Sequence, residues 1–434
     1  MLNSLYSRTK QLLVVAVTPF LFNSPVMAAN LLVDDGSDGT TGCTLRSAIE
    51  SVNNGQNTGG CVADGDYGDN DSIDFSVAAV SGLVSTLHIT GSVAVNPAGA
   101  ALSITSIGNG GVFNIDDAVV SFDNVLMTGG DSSSDGGGIL ATDSTVTLRN
   151  CTIEDNTVSD AGGDGGGIFI EDTNLTLIDS TVIGNTTQDD GGGIFVENST
   201  LILENSTVAN NIAGSEGGGI NIFGQNGSGT MTNTTISGNT AMDEGGGIHL
   251  RFNGSASLIN TTVSNNTAIR TGGGISIAAG QSLTMSNSLV AGNFSDLTSP
   301  SAFAEVFVGS RTLNLLGINL LGDSSKTNEQ AFDRPPSGNA ILATSDGNRA
   351  TGIASILSPL ADNSGATLTH ALTIGSPATS TGSFSDCPET DQRGIPRDDE
   401  TSFYVPVIAT NDNIALVDLG GNTCDIGSFE FDNS

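Results

Sequence analysis

The chain has 434 residues and carries 12 Lys plus Arg against 47 Asp plus Glu, a formal net charge of −35 at pH 7. A chain this acidic excludes nucleic acid as a natural partner, because phosphate backbones are bound by clusters of Lys and Arg. With only 5% aromatic residues, a surface of Asp, Asn, Ser, Thr and Gly suits divalent cations better than anionic polymers.

The N-terminus has the pattern of a secretory signal peptide over residues 1–28. Arg8 and Lys10 precede an apolar stretch from Leu12 to Phe22, and cleavage is expected after Ala28. The mature chain keeps 10 basic against 47 acidic residues, a net charge of about −37. No later segment is long and apolar enough to span a membrane, so we expect an exported protein, either extracellular or at a bacterial cell surface or outer membrane.

Five cysteines in an exported chain predict two disulfides and one remaining thiol. Cys43 and Cys61 flank a short N-terminal loop, and Cys387 and Cys424 flank a C-terminal one. Cys151 occupies a position that the following repeats fill with Ser or Thr, so we expect a small buried thiol without reactivity.

Six copies of the phrase GGGI recur in the middle of the chain at spacings of 29, 26, 26, 28 and 27 residues, ending at Ile139, Ile168, Ile194, Ile220, Ile248 and Ile275. Short alternating apolar runs follow each copy, and no helical period appears. A repeat of about 27 residues with several short strands predicts one turn of a solenoid.

Three inward-facing strands per repeat predict an all-β fold, a single-stranded parallel β-helix. We expect the repeats to occupy residues 72–322, after an N-terminal cap over residues 29–71. The apolar residues between Cys43 and Asn53 have helical spacing, which predicts a short amphipathic capping helix. Residues 323–434 depart from the repeat and predict an irregular C-terminal region.

One Asn recurs 17 to 19 residues after each GGGI phrase: Asn156, Asn185, Asn211, Asn239, Asn266 and Asn293. Stacked Asn side chains can bond amide to amide and to the backbone along a solenoid axis. We therefore predict a structural ladder, in preference to a ligand-binding role.

An acidic residue precedes five of the GGGI phrases: Asp135, Asp164, Asp190, Glu216 and Glu244. Stacked in consecutive coils, these carboxylates would lie about 5 Å apart and would repel one another, which favours bridging by Ca²⁺. The alternative is a solvated acidic edge that discourages stacking with other chains.

Two further features bear on ligands. Phe169 and Phe195 directly follow inward isoleucines, and would form an apolar step for a sugar ring or a protein partner unless a loop covers them. Arg149, Arg251 and Arg270 each lie near acidic residues, as a lyase base beside Ca²⁺ would, although a charge-relieving ion pair explains the same pattern.

Both ends of the chain resemble known families. Residues 43–49, CTLRSAI, resemble the CSLREA motif region of exported bacterial β-helix proteins, and the repeats resemble those of polymorphic outer-membrane proteins. The tail is similar to the choice-of-anchor Q domain in five phrases: residues 357–363, 369–372, 375–378, 391–394 and 424–430. With general chirality, the resemblance implies a right-handed helix at the cell surface and implies no established reaction.

The sequence therefore predicts a non-enzymatic adhesin or interaction rod with a surface glycan or protein as ligand. The alternative is a carbohydrate-active enzyme, a polysaccharide lyase or hydrolase, on the same scaffold. Clustered carboxylates around an Arg would favour the enzyme, and exposed Phe169 and Phe195 would favour adhesion.

Overall fold

A computed structural model describes residues 28–39, 42–97, 99, 101–278, 281–296, 303–309, 312–397, 404–408, 414–418 and 423–430. Apart from Ala28, the predicted signal peptide lies outside the described residues. Among the helices of the described part, none is long and apolar enough to cross a membrane.

The repeats wind into a parallel β-helix in which each of the central coils contributes one strand to each of four sheets. Sheet 1 follows the GGG corner and contains Leu87–Ile89, Phe113–Asp116, Ile139–Thr142, Ile168–Glu171, Ile194–Glu197, Ile220–Phe223, Ile248–Arg251, Ile275–Ile277 and Val306–Phe307. Sheet 2 contains Asn30–Val33, Asp71–Phe75, Val93–Val95, Val119–Asp123, Thr145–Arg149, Asn174–Ile178, Thr200–Glu204, Ser228–Thr232, Ser255–Ile259, Ser282–Ser286 and Thr312–Leu316.

The other two sheets complete each coil. Sheet 3 contains Ala79–Leu83, Leu102–Ser106, Val125–Thr128, Thr152–Glu154, Thr181–Ile183, Thr207–Ala209, Thr235–Ser237, Thr262–Ser264, Leu289–Ala291, Asn319–Leu321 and Ala340–Leu342. Sheet 4, a short fourth face that the repeat pattern does not predict, contains Asp131–Ser132, Thr157–Val158, Thr186–Thr187, Ile212–Ala213, Thr240–Ala241, Thr267–Ala268 and Phe294–Ser295.

Equivalent residues of successive coils pair in register, so every sequence column becomes a spatial column. Ile168 pairs with Ile194 and Phe169 with Phe195, and the inward isoleucines of sheet 1 are fully buried. Burial of the inward apolar columns of sheets 1, 2 and 3 supplies the hydrophobic stabilisation of the rod. The all-β parallel helix predicted from the repeat is confirmed.

The recurring Asn side chains form a continuous buried ladder. Asn156 donates from its backbone N–H and its Nδ2 to Oδ1 of Asn185, both at 3.0 Å, and also from Nδ2 to the Met127 carbonyl. The same three bonds repeat in each coil as far as Asn293. Because every amide atom is satisfied by the adjacent coils, the ladder fixes the register of the stack.

The ladder ends on a buried charged cluster. Asn293 donates from Nδ2 to Oε2 of Glu305 at 2.8 Å, and Lys326 Nζ lies 3.4 Å from Glu305 Oε1 and 2.9 Å from Asp323 Oδ2. Burial raises the pKa of Glu305 to about 7 against the opposing pull of Lys326. Lys326, one of two lysines in the chain, thus neutralises the C-terminal end of the ladder.

The N-terminal helix spans Leu45–Asn54, with the Thr44 hydroxyl accepting from the Ser47 N–H and Gly55 ending it in the left-handed conformation. Its apolar face packs into the core, and the Cys43–Cys61 disulfide closes the segment around it. Asn30–Val33 pairs with Asp71–Phe75, so sheet 2 extends ahead of residue 72, and sheet 3 extends past residue 322 to Ala340–Leu342.

The C-terminal region packs against the outer face of sheet 3. Its strands Leu357–Ala361 and Thr369–Leu372 pair antiparallel, as do Gly382–Ser383 with Thr423–Cys424 and Tyr404–Ile408 with Ile414–Asp418; the short helices are Asn328–Ala331, Ile353–Ser355 and Phe384–Asp386. The Gln392 amide donates to Ser206 O and Thr207 Oγ1 of the rod. The Cys387–Cys424 disulfide lies in this region, whereas Cys151 is a free buried thiol, and burial raises its pKa to about 11.

Asn211→Ala tests the ladder. The substitution leaves the Asn185 amide and the Val182 carbonyl without their buried partners, and an unsatisfied buried group costs about 1–3 kcal/mol. We expect the free energy of unfolding to fall by about 3 kcal/mol or more, measured by urea denaturation. Asn174→Ala, on an exposed position of sheet 2, is the control, and an equal loss in both variants would contradict the ladder's role.

Candidate functional site

The acidic residues that precede the GGG corners form a column, here called the acidic column: Asp135, Asp164, Asp190, Glu216 and Glu244. Three carboxylates in it accept backbone bonds from the next coil. Oδ1 of Asp135 accepts the Asp164 N–H at 2.9 Å, Oδ1 of Asp164 accepts the Asp190 N–H at 2.9 Å, and Oδ1 of Asp190 accepts the Glu216 N–H at 2.8 Å. The column is therefore part of the structure of the corner, and each aspartate keeps one oxygen for other partners.

The Asp end of the column carries concentrated negative charge. Burial raises the pKa of Asp164 to about 7, and the charges of Asp190 and Asp189 reinforce the rise against the lowering effect of the Asp190 N–H. Burial also raises the pKa of Asp190 and of Asp189. These three carboxylates are held together at a cost that a cation would relieve.

The carboxylates of Asp164, Asp189 and Asp190 fit a hard divalent cation. One oxygen from each lies within 4.8 Å of the others, and an all-oxygen set is what Ca²⁺ prefers, with water completing its coordination. Asp189 is outside the predicted set of five. Glu216 and Glu244 pair with Arg251 and Arg270, so the structure does not gather the five predicted carboxylates into one site.

Cationic side chains form ion pairs with the carboxylates at the Glu end of the column. Arg251 Nη1 lies 2.7 Å from Glu216 Oε2 and 3.7 Å from Asp190 Oδ2. Burial alone would raise the pKa of Glu216, but His249 and Arg251 more than offset it and the pKa is lowered. Arg251 is therefore the Arg that the fold places inside the carboxylate cluster.

The other two Arg candidates lie elsewhere. Arg270 is largely exposed and pairs with Asp243 at 3.0 Å and with Glu244 at 3.5 Å, which is a charge-relieving arrangement at the rim. Arg149 ends a strand of sheet 2, a different face of the rod.

A buried imidazole lies between two glutamates of the column. His249 Nδ1 is 3.2 Å from Glu216 Oε2 and Nε2 is 3.8 Å from Glu244 Oε2, yet the ring is not aligned for a hydrogen bond to either carboxylate. Asn221 occupies the same column in the coil before His249 and is fully buried. Its side-chain amide has no hydrogen-bond partner among the described residues. Polar atoms left unpaired under this corner add to the polar character of the site.

The GGG corner explains why Phe169 and Phe195 do not form a surface. The first glycine of each corner has positive φ, +65° at Gly165 and +69° at Gly191, and folds directly over the residue that follows the inward isoleucine. A Cβ on either glycine would lie 2.8 Å from the Cβ of the Phe beneath it. The two rings stack at 5.3 Å and are 6% and 4% exposed, so they do not form the exposed apolar step that the sequence suggested for a ligand.

The exposed aromatic ring of this edge is Phe252. It is 54% exposed, packs 4.9 Å from Phe223, and Arg251 lies over it at 4.9 Å. Its φ of +52° places it at a left-handed turn where equivalent corners carry Asp143, Asp172 and Asn198. The sequence could have indicated Phe252, because it stands at a repeat position that carries Asp or Asn in the equivalent corners. Asp and Asn adopt the left-handed conformation most readily among residues other than Gly.

The family model for the right-handed beta helix region matches residues 88–260 and 166–315, together more than half of the chain. The chain belongs to this family of right-handed β-helix proteins. A search of curated proteins finds no match. Among solved structures, the crystal structure of pectate lyase Pel9A aligns over 94% of this chain and 98% of that chain, with 14% sequence identity and a TM-score of 0.39.

Asp164→Asn should make the protein more stable at neutral pH. A pKa raised from 3.8 to about 7 means that the folded state holds the proton more tightly, so this stabilisation is complete below pH 3.8 and is lost as pH rises to 7. Asn keeps an oxygen for the Asp190 N–H. We expect a higher Tm than wild type at pH 8 in chelator, with the advantage shrinking as pH falls toward 4.

The control for this measurement is Asp179→Asn, at a left-handed turn that Asn tolerates. It should not reproduce the pH-dependent gain. A shift in Tm of the Asp164 variant that is equal at every pH would contradict the assignment.

Proposed function

We propose that this protein is an exported β-helix rod that binds a glycan at the edge formed by Asp190, Glu216, Arg251 and Phe252, here called the acidic-aromatic edge. The observation that carries the proposal is the exposed Phe252 ring beside Arg251, which in turn is bonded to Glu216, a half-buried carboxylate of the acidic column.

The chemistry of this edge suits a sugar. The apolar face of a pyranose ring packs against an exposed aromatic ring, and its hydroxyls donate to carboxylate oxygens and accept from a guanidinium. The excess of carboxylates, in a chain of net charge −35, disfavours a uronic-acid polymer and favours a neutral or amino sugar.

Export and surface display are supported by the signal-peptide pattern of residues 1–28 and by the resemblance of residues 43–49 to the CSLREA region. The choice-of-anchor Q resemblance of the tail supports a surface role as well. In the structure, a residue of that tail, Gln392, bonds to the rod, so the tail helps to hold the coils that carry the edge.

We also propose that Asp164, Asp189 and Asp190 bind Ca²⁺. Glu216 and Arg251 lie directly beside this trio, so a bound cation would neutralise the carboxylates next to the sugar site and leave Arg251 paired to Glu216. Cation binding would then support the shape of the edge.

The second candidate is a carbohydrate-active enzyme, favoured by one observation: Arg251 lies among carboxylates, the arrangement that distinguishes an enzyme from an adhesin on this scaffold. Arg251 lies between two acidic side chains, so it would stabilise developing negative charge in preference to acting as a base. A test of glycan binding therefore also measures new reducing ends and unsaturated products.

Asp189→Asn tests the cation. Asp189 has no side-chain bond in the carboxylate-to-backbone series, so the variant removes one ligand and leaves the corner intact. We expect Ca²⁺ to raise the Tm of the wild-type protein and the variant to weaken the apparent Ca²⁺ affinity about tenfold. A wild-type protein whose Tm is the same in Ca²⁺ and in chelator contradicts the site, and Asp179→Asn should titrate like wild type.

Phe252→Asn tests the glycan. Asn suits the left-handed turn, so the ring is removed without straining the backbone. On a panel of plant, algal and bacterial polysaccharides, we expect the variant to lose about tenfold in affinity for whichever polymer the wild-type protein retains, measured by affinity electrophoresis. Phe294→Thr, an equally exposed Phe on sheet 4, should bind normally.

Failure of every polymer to bind, or equal losses in the Phe252 and Phe294 variants, contradicts glycan binding at this edge. If the wild-type protein cleaves a bound polymer and Arg251→Lys does not, the protein is an enzyme and the adhesin proposal is wrong.

A further inference from the structure

The column of outward residues that contains Phe169 changes its exposure along the rod. In register it runs His88, Asn114, Leu140, Phe169 and on through Asn221 to Ser276. From Phe169 onward the residues are buried beneath the glycine corners, whereas Leu140 and Asn114 are half-buried and His88 is exposed. The column therefore emerges from cover toward the N-terminal end of the rod.

A cavity of about 280 Å³ opens where this column emerges, here called the N-terminal pocket. His88, Asn114 and Leu140 line it, and Asp135 and Ser134 come from the segment that leads into the first GGG corner. That segment is held in place by a pair of backbone bonds between Gly110 and Asp131, at 2.7 and 3.0 Å. The volume lies just below the usual range of ligand pockets, about 300–1,000 Å³.

Several polar side chains of the pocket have no hydrogen-bond partner within the described part of the chain. The side chains of His88, Asn109, Asn114 and Ser133 make no hydrogen bond to the described residues; His88, Asn109 and Ser133 are exposed, and Asn114 is half-buried. Asp135 uses Oδ1 for the Asp164 N–H, which leaves Oδ2 free. Ring nitrogens, amides, a hydroxyl and one carboxylate oxygen thus converge with their bonding capacity unused.

We propose that the N-terminal pocket binds a single neutral sugar unit. Free donors and acceptors are matched by a polyhydroxylated ligand, and the half-buried Leu140 offers an apolar contact for one face of a pyranose. No Lys or Arg lines the pocket, so it lacks a partner for an anionic sugar, and its one carboxylate disfavours a uronate further.

The inference deepens the proposed glycan binding and rests on it for the ligand class. Leu140 and His249 are four coils apart, about 19 Å, on the same outward column. A glycan that follows this edge would reach both the pocket and the acidic-aromatic edge, with the pocket holding one unit and Phe252 another. Two weak subsites on one chain would combine into a stronger attachment than either gives alone.

The test uses saturation-transfer NMR of the whole protein with methyl glycosides of neutral hexoses, and with glucuronate as the charged comparison. We expect at least one neutral glycoside to bind and glucuronate to bind more weakly. Asn114→Leu places in the column the residue that already follows at Leu140, and should lower the affinity about fivefold, the effect of losing one or two hydrogen bonds.

His88→Ala, at an exposed position, should weaken binding similarly, and Asn314→Leu, an exposed Asn on sheet 2, should leave it unchanged. Binding that none of these variants affects, or no binding by any neutral glycoside, overturns the pocket. If polymers bind through Phe252 while Asn114→Leu has no effect, the proposed sugar site in the pocket is contradicted and the proposed glycan binding at the acidic-aromatic edge stands. If a glycoside binds through Asn114 while no polymer binds through Phe252, the pocket stands and the proposed function at the edge fails.

Discussion

The buried asparagine ladder is the interaction on which the other features of this rod depend. Each amide from Asn156 to Asn266 donates to the amide of the next coil and to a carbonyl of the coil before, so a coil cannot slip by one residue without breaking several buried hydrogen bonds. With the register held, residues that share a place in the repeat must stack. The acidic column, the inward isoleucines and the left-handed turns all inherit their alignment from it.

The glycine corner turns that alignment into a site. Because the first glycine folds over the following outward residue, it covers Phe169 and Phe195. Asp164 and Asp190, which directly precede these glycines, are half-buried and buried. Low exposure strengthens the repulsion between neighbouring carboxylates. One edge of the rod therefore holds carboxylates that repel one another. His249 and Arg251 offset this repulsion at Glu216, and a cation would offset it at Asp164, Asp189 and Asp190.

Each end of the rod solves the problem of an open sheet edge in its own way. The helix Leu45–Asn54 caps the first coils, and the Glu305–Lys326–Asp323 cluster terminates the amide ladder. The C-terminal region lies along sheet 3, where the hydroxyl of Thr235 donates to Gln392 and that of Thr262 accepts from the Ser428 N–H. Sheet 3 is thus committed to intramolecular packing over these coils, whereas the Phe252 ring at the edge of sheet 1 is 54% exposed.

The sequence by itself determined the parallel β-helix, its inward columns and the Asn ladder, because each follows from a repeat that is local in the chain. Both disulfides were indicated by the positions of four cysteines outside the repeat. The sequence could not determine which outward residues would be exposed. Phe169 and Phe195 have the pattern of a surface step, and only the path of the glycine corner, with its positive φ at Gly165 and Gly191, covers them. Tertiary structure alone brought Asp189 beside Asp164, set Arg251 against Glu216, and opened a pocket at His88 and Asn114. Each depends on how loops of unequal length pack across coils, which column spacing does not specify.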